Sequence, residues 1–328
     1  MKIFLTYDYE LFFGSTTGSV EKCMIEPTNG LLKIAKQYQV KMVFFVDVGY
    51  LIKLEEFMAE HKTLQSDNSK VREQLARIVE EGHDIQLHIH PHWEKSFYAD
   101  GKWNIITENA YKLSDFSDEE IKHIVTKYKT YLDEIIGYKT KAFRAGGWCI
   151  QPFYRLKDVF QELEIKFDTS VFQGGRFTSS EYAYDFTLAP FKSSYHFSDD
   201  ECKEDFDGYF KEYPISSMYY SPYFYWRLYI LGRLFPSQHK MIGDGNFMPQ
   251  PGKKKHVLLH FNWNHVSSDG YYASKLLFAL KKFKKDGKEN LVVIGHPKGM
   301  TRYSMRKIKR FIKTSQKEHQ YYTFKDLR

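Results

Sequence analysis

The chain has 328 residues, enough for one large α/β barrel or two ordinary domains. Its 42% hydrophobic and 27% charged content supplies a packed core and excludes a disordered chain. The net charge of +7 is modest and sits late, between Lys281 and Lys288 and across 302–317, with no nucleic-acid motif beside it. A solvated helix face is therefore expected there, and nucleic acid is not an expected partner.

Cys23, Cys149 and Cys202 are odd in number and lack metal-type spacing, which suits a reducing compartment. The chain opens on Met1-Lys2-Ile3-Phe4-Leu5-Thr6-Tyr7-Asp8, a strand pattern rather than an export signal. No uncharged apolar stretch reaches about 20 residues, so no membrane span is predicted. A cytoplasmic protein is the expectation.

In chain order, Ile3 to Thr6 reads as a strand and Gly30 to Tyr38 as a helix with Leu31, Leu32, Ile34 and Ala35 on its apolar side. Lys41 to Val46 is a second strand, and Lys70 to Glu81 a helix through Val71, Leu75, Ile78 and Val79. Asp84 to His88 is a third strand. Ser117, with Glu120 three residues on, predicts a capped helix from Asp118 to Ile136. Lys141 to Arg144 is a fourth strand, Pro152 to Leu163 a helix, and a fifth strand begins near Phe167. His256 to Phe261 and Leu291 to Ile294 read as the sixth and seventh. The alternation predicts one domain over 1–328, a distorted (β/α) barrel with about seven parallel strands. Residues 94–116 and the aromatic-rich 173–252 read as insertions over its active face. Within the second, Ser198 to Asp207 reads as an exposed acidic turn. The aromatic run Tyr219 to Pro236 is a candidate for peripheral contact with a membrane surface or a lipid-linked substrate.

In such barrels chemistry gathers at the carboxyl ends of strands. Here those ends carry Asp8 and Glu10, His88 to His92, Arg144, Asp168, His260 and His296. Gly82 to Trp93 packs four histidines and an aspartate into twelve residues, a density that points to a shared metal or proton. Asp8 and Glu10 share one strand face, and two carboxylates there call for a cation. Glu10, His88 and His92 would make three ligands with a fourth position open to water. Asp8 could then take a proton from that water, Arg144 could fix Asp8, and His296 could protonate a leaving amine. Asp168 could orient His296. His90, Trp93, Trp148 and His260 are candidate substrate contacts, with core packing an equal alternative for both tryptophans.

At this point the motifs resemble the polysaccharide deacetylases, the NodB-homology family of carbohydrate esterases. Thr6-Tyr7-Asp8-Tyr9-Glu10 looks like the first motif, with the metal carboxylate two residues after the base. Gly82 to His92 looks like the second, Phe143-Arg144-Ala145-Gly146 the third, Phe167-Asp168-Thr169-Ser170-Val171 the fourth, and Gly295-His296-Pro297 the fifth. Tyr321 to Leu327 is similar to the family's last strand. The resemblance implies Asp8 as base, Glu10, His88 and His92 around one divalent ion (zinc is expected), Arg144 orienting Asp8, and His296 as acid. The departures are Tyr9 between the two acids, Glu in place of the second Asp, the extra His90, and Trp148 where a Pro-Tyr pair is usual. His90 is an alternative to His92, and His260 in Val257-Leu258-Leu259-His260 an alternative to His296. The implied activity is removal of an N-acetyl or other N-acyl group from a sugar, with a lipid- or nucleotide-linked saccharide of surface polysaccharide assembly as the expected substrate. The rival readings are another metal-dependent amidohydrolase built on His88-Ile89-His90, and a degenerate barrel that only binds saccharide.

Overall fold

A computed structural model describes residues 1–179, 181–249 and 252–327. The architecture is mixed α/β with mostly parallel strands, and it divides into two compact units. One comprises Met1–Met42 and Ile215–Tyr322, and the other Val43–Pro214 with the tail from Thr323.

In the first unit the strand Lys2–Tyr9 pairs in parallel with Asn290–Gly295, from Lys2 opposite Asn290 to Tyr7 opposite Gly295. The short strand Gln320–Tyr321 also pairs in parallel with it. Every residue from Ile3 to Tyr9 is buried, so the strand reads as a near-continuous apolar run instead of an alternating one. Helix Glu26–Tyr38 starts a turn before the predicted Gly30, with Pro27 in its first turn, where a missing N–H costs nothing. Helix Arg302–Ser315 is capped by Thr301, which exchanges bonds with Ser304. It buries Ile308, Phe311 and Ile312 and leaves Arg302, Arg306, Lys309, Arg310 and Lys313 in solvent, the expected solvated basic face.

Residues His256 to Phe261 are not the predicted sixth strand. The helix Lys253–Leu259 takes their first four residues, and the strand that follows, Asn262–His265, pairs antiparallel with Ser217–Tyr220. A run of four apolar or imidazole residues fits either element, because only Val257 of it needs burial.

In the second unit Val43–Asp47, Asp84–Ile89, Ala142–Ala145, Phe167–Asp168 and Phe210–Glu212 lie side by side in parallel. Tyr195–Phe197 adds an antiparallel edge. Residues 173–252 thus supply two strands to this sheet, besides the strand Ser217–Tyr220, the hairpin of Arg176–Thr178 with Ala183–Asp185, and the helix Pro222–Leu234. Register aligns Asp47 with His88 and His88 with Arg144, while Asp168, opposite Phe143 and Glu212, sits one residue off that row, so polar residues lie at or next to the end of all five strands. Helix Lys62–Glu80 begins eight residues before the predicted Lys70, because 62–69 is polar apart from Leu64 and shows no period. Helix Asp118–Ile136 has the predicted bounds and the Ser117–Glu120 capping box. It is tied to the next strand by Asp133, which accepts from Thr140 N–H and Oγ1 at 2.8 Å each while ion-paired with Lys129. The acidic turn folds inward at Glu201, which is buried.

Candidate active site

The first unit places Asp8 at the penultimate position of the opening strand and Glu10 just past its end, 3% and 5% exposed. They share a face, as their parity requires, and His296 reports it. Its Nε2 lies 3.6 Å from Asp8 Oδ2 and 3.8 Å from Glu10 Oε1. The other side of the ring is held by Asp269, whose Oδ2 is 2.7 Å from Nδ1 and whose Oδ1 accepts the His296 backbone N–H at 2.8 Å. Burial alone would push the imidazole pKa down, but the carboxylates of Asp269, Asp8 and Glu10 outweigh it and hold it above the ordinary value. The carboxylate on His296 Nδ1 is therefore Asp269, where the sequence suggested Asp168.

Asp269 reaches this position because Ser267 bridges Ile294 in parallel and Ser268 N–H donates to Ile294 O at 2.8 Å. Gly295 permits that approach, since a Cβ there would collide with Ser268 Oγ and the Tyr7 ring. Lys298, buried beside the rings of Phe12 and Phe13, sets its ammonium 2.9 Å from Glu10 Oε1 and donates to Leu11 O. Sequence reading missed both Asp269 and Lys298. The signal for the second was Pro297-Lys298, one turn beyond the histidine. His260 lies outside this group, exposed at the end of its helix with its ring 5.1 Å from His256.

The second unit gathers His88, His90 and His92, all buried, with ring centroids 4.8 Å and 5.3 Å apart in sequence order. His88 Nδ1 is 2.7 Å from the carbonyl oxygen of Arg144. That contact requires Nδ1 to carry the proton and leaves Nε2 as the lone-pair donor, the tautomer a metal ligand needs. The His90 ring packs on Gly146, where a Cβ would come within 2.5 Å of its Nδ1. His92 stacks on Tyr111 at 6.0 Å.

Arg144 is fully buried. Its Nε donates to Thr169 O at 3.0 Å, its Nη2 to Thr169 Oγ1 at 3.2 Å, and its guanidinium lies 4.3 Å from the Phe45 ring centroid. Asp168 accepts from Ser170 N–H at 2.9 Å and Ser170 Oγ at 2.7 Å, and Ser170 Oγ accepts from Ala145 N–H. Burial raises the Asp168 pKa, opposed by Glu212, Ser170 and Arg144. Glu212, in register with it, is pushed well above the ordinary carboxylate value by burial and by Asp168.

Trp93 is core, not a substrate platform. It is fully buried, its Nε1–H donates to Asp47 Oδ2 at 2.6 Å, and its ring packs against Tyr50 and Trp103. Trp148 is half-buried against Phe172 and Tyr184. Its φ of +62° follows the +57° of Gly147, a left-handed pair costing about 1 kcal/mol or more at the tryptophan. All three cysteines are free thiols. No helix among the described residues is long and apolar enough to cross a membrane.

Residues 2–151 match the family model for polysaccharide deacetylase. The match takes in Asp8, Glu10, His88, His90, His92, Arg144 and Trp148, and stops short of Asp168, His260, Asp269 and His296. No curated protein matches the chain. Among solved structures, a candidate polysaccharide deacetylase from Mycobacterium smegmatis aligns over 99% of this chain and 88% of its own, with 14% identity and a TM-score of 0.55. The 4-alpha-glucanotransferase of Thermococcus litoralis aligns over 99% of this chain but 40% of its own, with 14% identity and a TM-score of 0.51. At such identities the likeness is one of fold, and two different activities share it. The likeness to the polysaccharide deacetylase family is thus carried by residues 2–151, and the fold is shared with the Mycobacterium smegmatis protein.

Proposed function

We propose that the chain is a metal-dependent N-deacylase of saccharides. The observation that supports this best is His296, with a carboxylate on Nδ1 and Asp8 on the Nε2 side at 3.6 Å. A histidine so held can give a proton from Nε2 while Asp269 balances the charge it carries. In this reading Asp8, fixed by Arg144, removes a proton from water as the oxygen attacks the acyl carbonyl. The C–N bond then breaks, His296 protonates the departing nitrogen, and the products are a carboxylic acid and a free amino sugar. Asp168 and its Ser170 contacts hold the Thr169 turn that grips Arg144.

The donor set fits a divalent cation, because His88 has its Nδ1 committed to a carbonyl and Glu10 offers a buried carboxylate. Glu10 and His88 would hold the ion with His90 or His92 as the third ligand, and zinc is the expected metal. Such an ion supplies Lewis acidity and lowers the pKa of water towards about 7. The substrate read from the chain is an N-acylated sugar carried on a lipid or nucleotide, as an intermediate of surface polysaccharide assembly. The free thiols suit work inside the cell.

The test pairs metal analysis with acetate release from a panel of N-acetylated sugars and sugar carriers. Asp8→Asn is expected to retain the ion and lose turnover, and His88→Ala to lose both. Comparing His92→Ala with His90→Ala decides the third ligand. A wild-type protein that holds no stoichiometric metal yet is stabilised by sugars would overturn the enzyme in favour of a saccharide-binding barrel.

A further inference from the structure

The helix Pro222–Leu234 is apolar on both faces. Phe224 and Tyr225 face the protein and are buried, while Tyr223, Trp226, Ile230 and Leu234 are 68%, 50%, 47% and 66% exposed. Spacings of three, four and four residues put those four side chains on one stripe. A helix apolar all round needs a second apolar neighbour, and here the outer stripe faces solvent. Trp226 is tied by an Nε1–H bond to Leu258 O of the neighbouring helix, where Leu259 is also exposed, as is Phe261 two residues beyond it. At thirteen residues the helix is about 20 Å long, too short to cross a bilayer.

The rim of this face is basic. Between Glu212 and Asp269 the sequence holds six Lys or Arg and a single acid, Asp244, which is bonded to Ser19. Arg227 and Arg233 flank the stripe on the helix itself, and Lys254, from the helix alongside, lies 4.9 Å from the Tyr229 ring centroid. At the carboxyl end of the helix, Pro236, Ser237 and Lys240 run into an open groove of about 770 Å³. Arg302 and the loop from Gly243 to Asn246 line its far side. That loop packs on Phe12, the ring over which the Glu10-paired Lys298 ammonium lies.

We propose that this face docks on an anionic lipid surface, the helix lying flat with its aromatic stripe in the headgroup layer. Tyrosine and tryptophan suit that boundary, and the arginines and lysines meet lipid phosphates. A second copy of the chain is the poorer occupant, because pairing would set one basic rim against another. The inference deepens the proposed function, giving the lipid end of a carrier-linked substrate a place beside the groove. It rests on that reading only for its purpose.

The test is co-sedimentation of the full chain with vesicles of phosphatidylcholine alone or mixed with phosphatidylglycerol. Wild type should bind the anionic vesicles at least about tenfold better, each cation near the surface contributing most of a factor of ten. Ile230→Gln/Leu234→Gln should cut binding about tenfold, and Arg227→Gln/Arg233→Gln should remove the preference for anionic lipid. Hydrolysis of a water-soluble N-acetylated oligosaccharide should be unchanged in both variants, which also shows that they fold. Wild type remaining in the supernatant with either vesicle would overturn the proposal. So would variants that bind as wild type does, or a vesicle-free dimer abolished by the same substitutions. Vesicle binding without any deacylation would sink the proposed function and leave the docking face standing.

Discussion

Asp269 meets His296 twice, one carboxylate oxygen on the ring Nδ1 and the other on the backbone N–H of the same residue. The double contact fixes both the ring's tautomer and the height of the strand end from which it projects. Asp269→Asn would keep a backbone contact but could not balance an imidazolium. We expect kcat to fall about 100-fold with KM little changed, the size of a general-acid contribution. Acetate-release kinetics check this, and an equal rise in KM would show that Asp269 serves substrate binding instead.

The same geometry makes Gly295 a position with no room. A methyl there meets Ser268 Oγ and the Tyr7 ring, both on buried elements. Gly295→Ala should destabilise the protein by about 1–3 kcal/mol and displace the Ser267–Asp269 segment. Denaturant unfolding gives the first effect. Turnover depressed in proportion to that seen in Asp269→Asn gives the second, and unaltered stability would show that the segment gives way freely.

Much of the site was legible because strand ends announce themselves. Short apolar runs followed by Asp8, His88, Arg144 or His296 need only the rule that chemistry gathers where parallel strands stop. The Ser117–Glu120 box likewise placed a helix to the residue. Asp269 stayed hidden because it enters through one isolated bridge, Ser267 to Ile294, with no periodicity around it. Trp93 misled because the sequence gives no sign that Asp47, forty-six residues earlier, would take its indole N–H. The helix Val48–Met58 passed unread because it follows a strand without a break and its apolar residues continue the run.

Lys298 gives the next expectation. Its ammonium sits on Glu10 in a site with almost no solvent exposure, where removing one member of a pair is costly. Lys298→Met should lower the stability of the metal-free protein by about 3 kcal/mol. Added zinc ion should restore more of the loss in the variant than it adds to wild type, because a cation on Glu10 replaces the missing charge. Thermal unfolding with and without zinc reads both effects. Equal zinc-induced shifts in the two proteins would remove Glu10 from the ligand set.

Asp84 supplies a pH dependence away from the reaction. Its carboxylate takes the backbone N–H groups of Phe324 and Lys325 at 2.9 and 3.2 Å, pinning the C-terminal tail, and also accepts from Gln86. Burial nonetheless pushes its pKa up to about 6, against the opposing effect of these donors and of Lys325. A folded-state pKa above the unfolded value means that the folded chain binds the proton more tightly. This contribution to stability is therefore complete below about pH 4 and is lost as pH rises through 6. At roughly 1.4 kcal/mol per unit, the change amounts to a few kcal/mol. Asp84→Asn cannot titrate, so the stability difference between wild type and variant should drift in the variant's favour between pH 4.5 and 7.5. Urea unfolding at the two pH values measures the drift. A difference that stays constant would mean that Asp84 ionises at an ordinary pKa and that the tail's N–H groups fully compensate its burial.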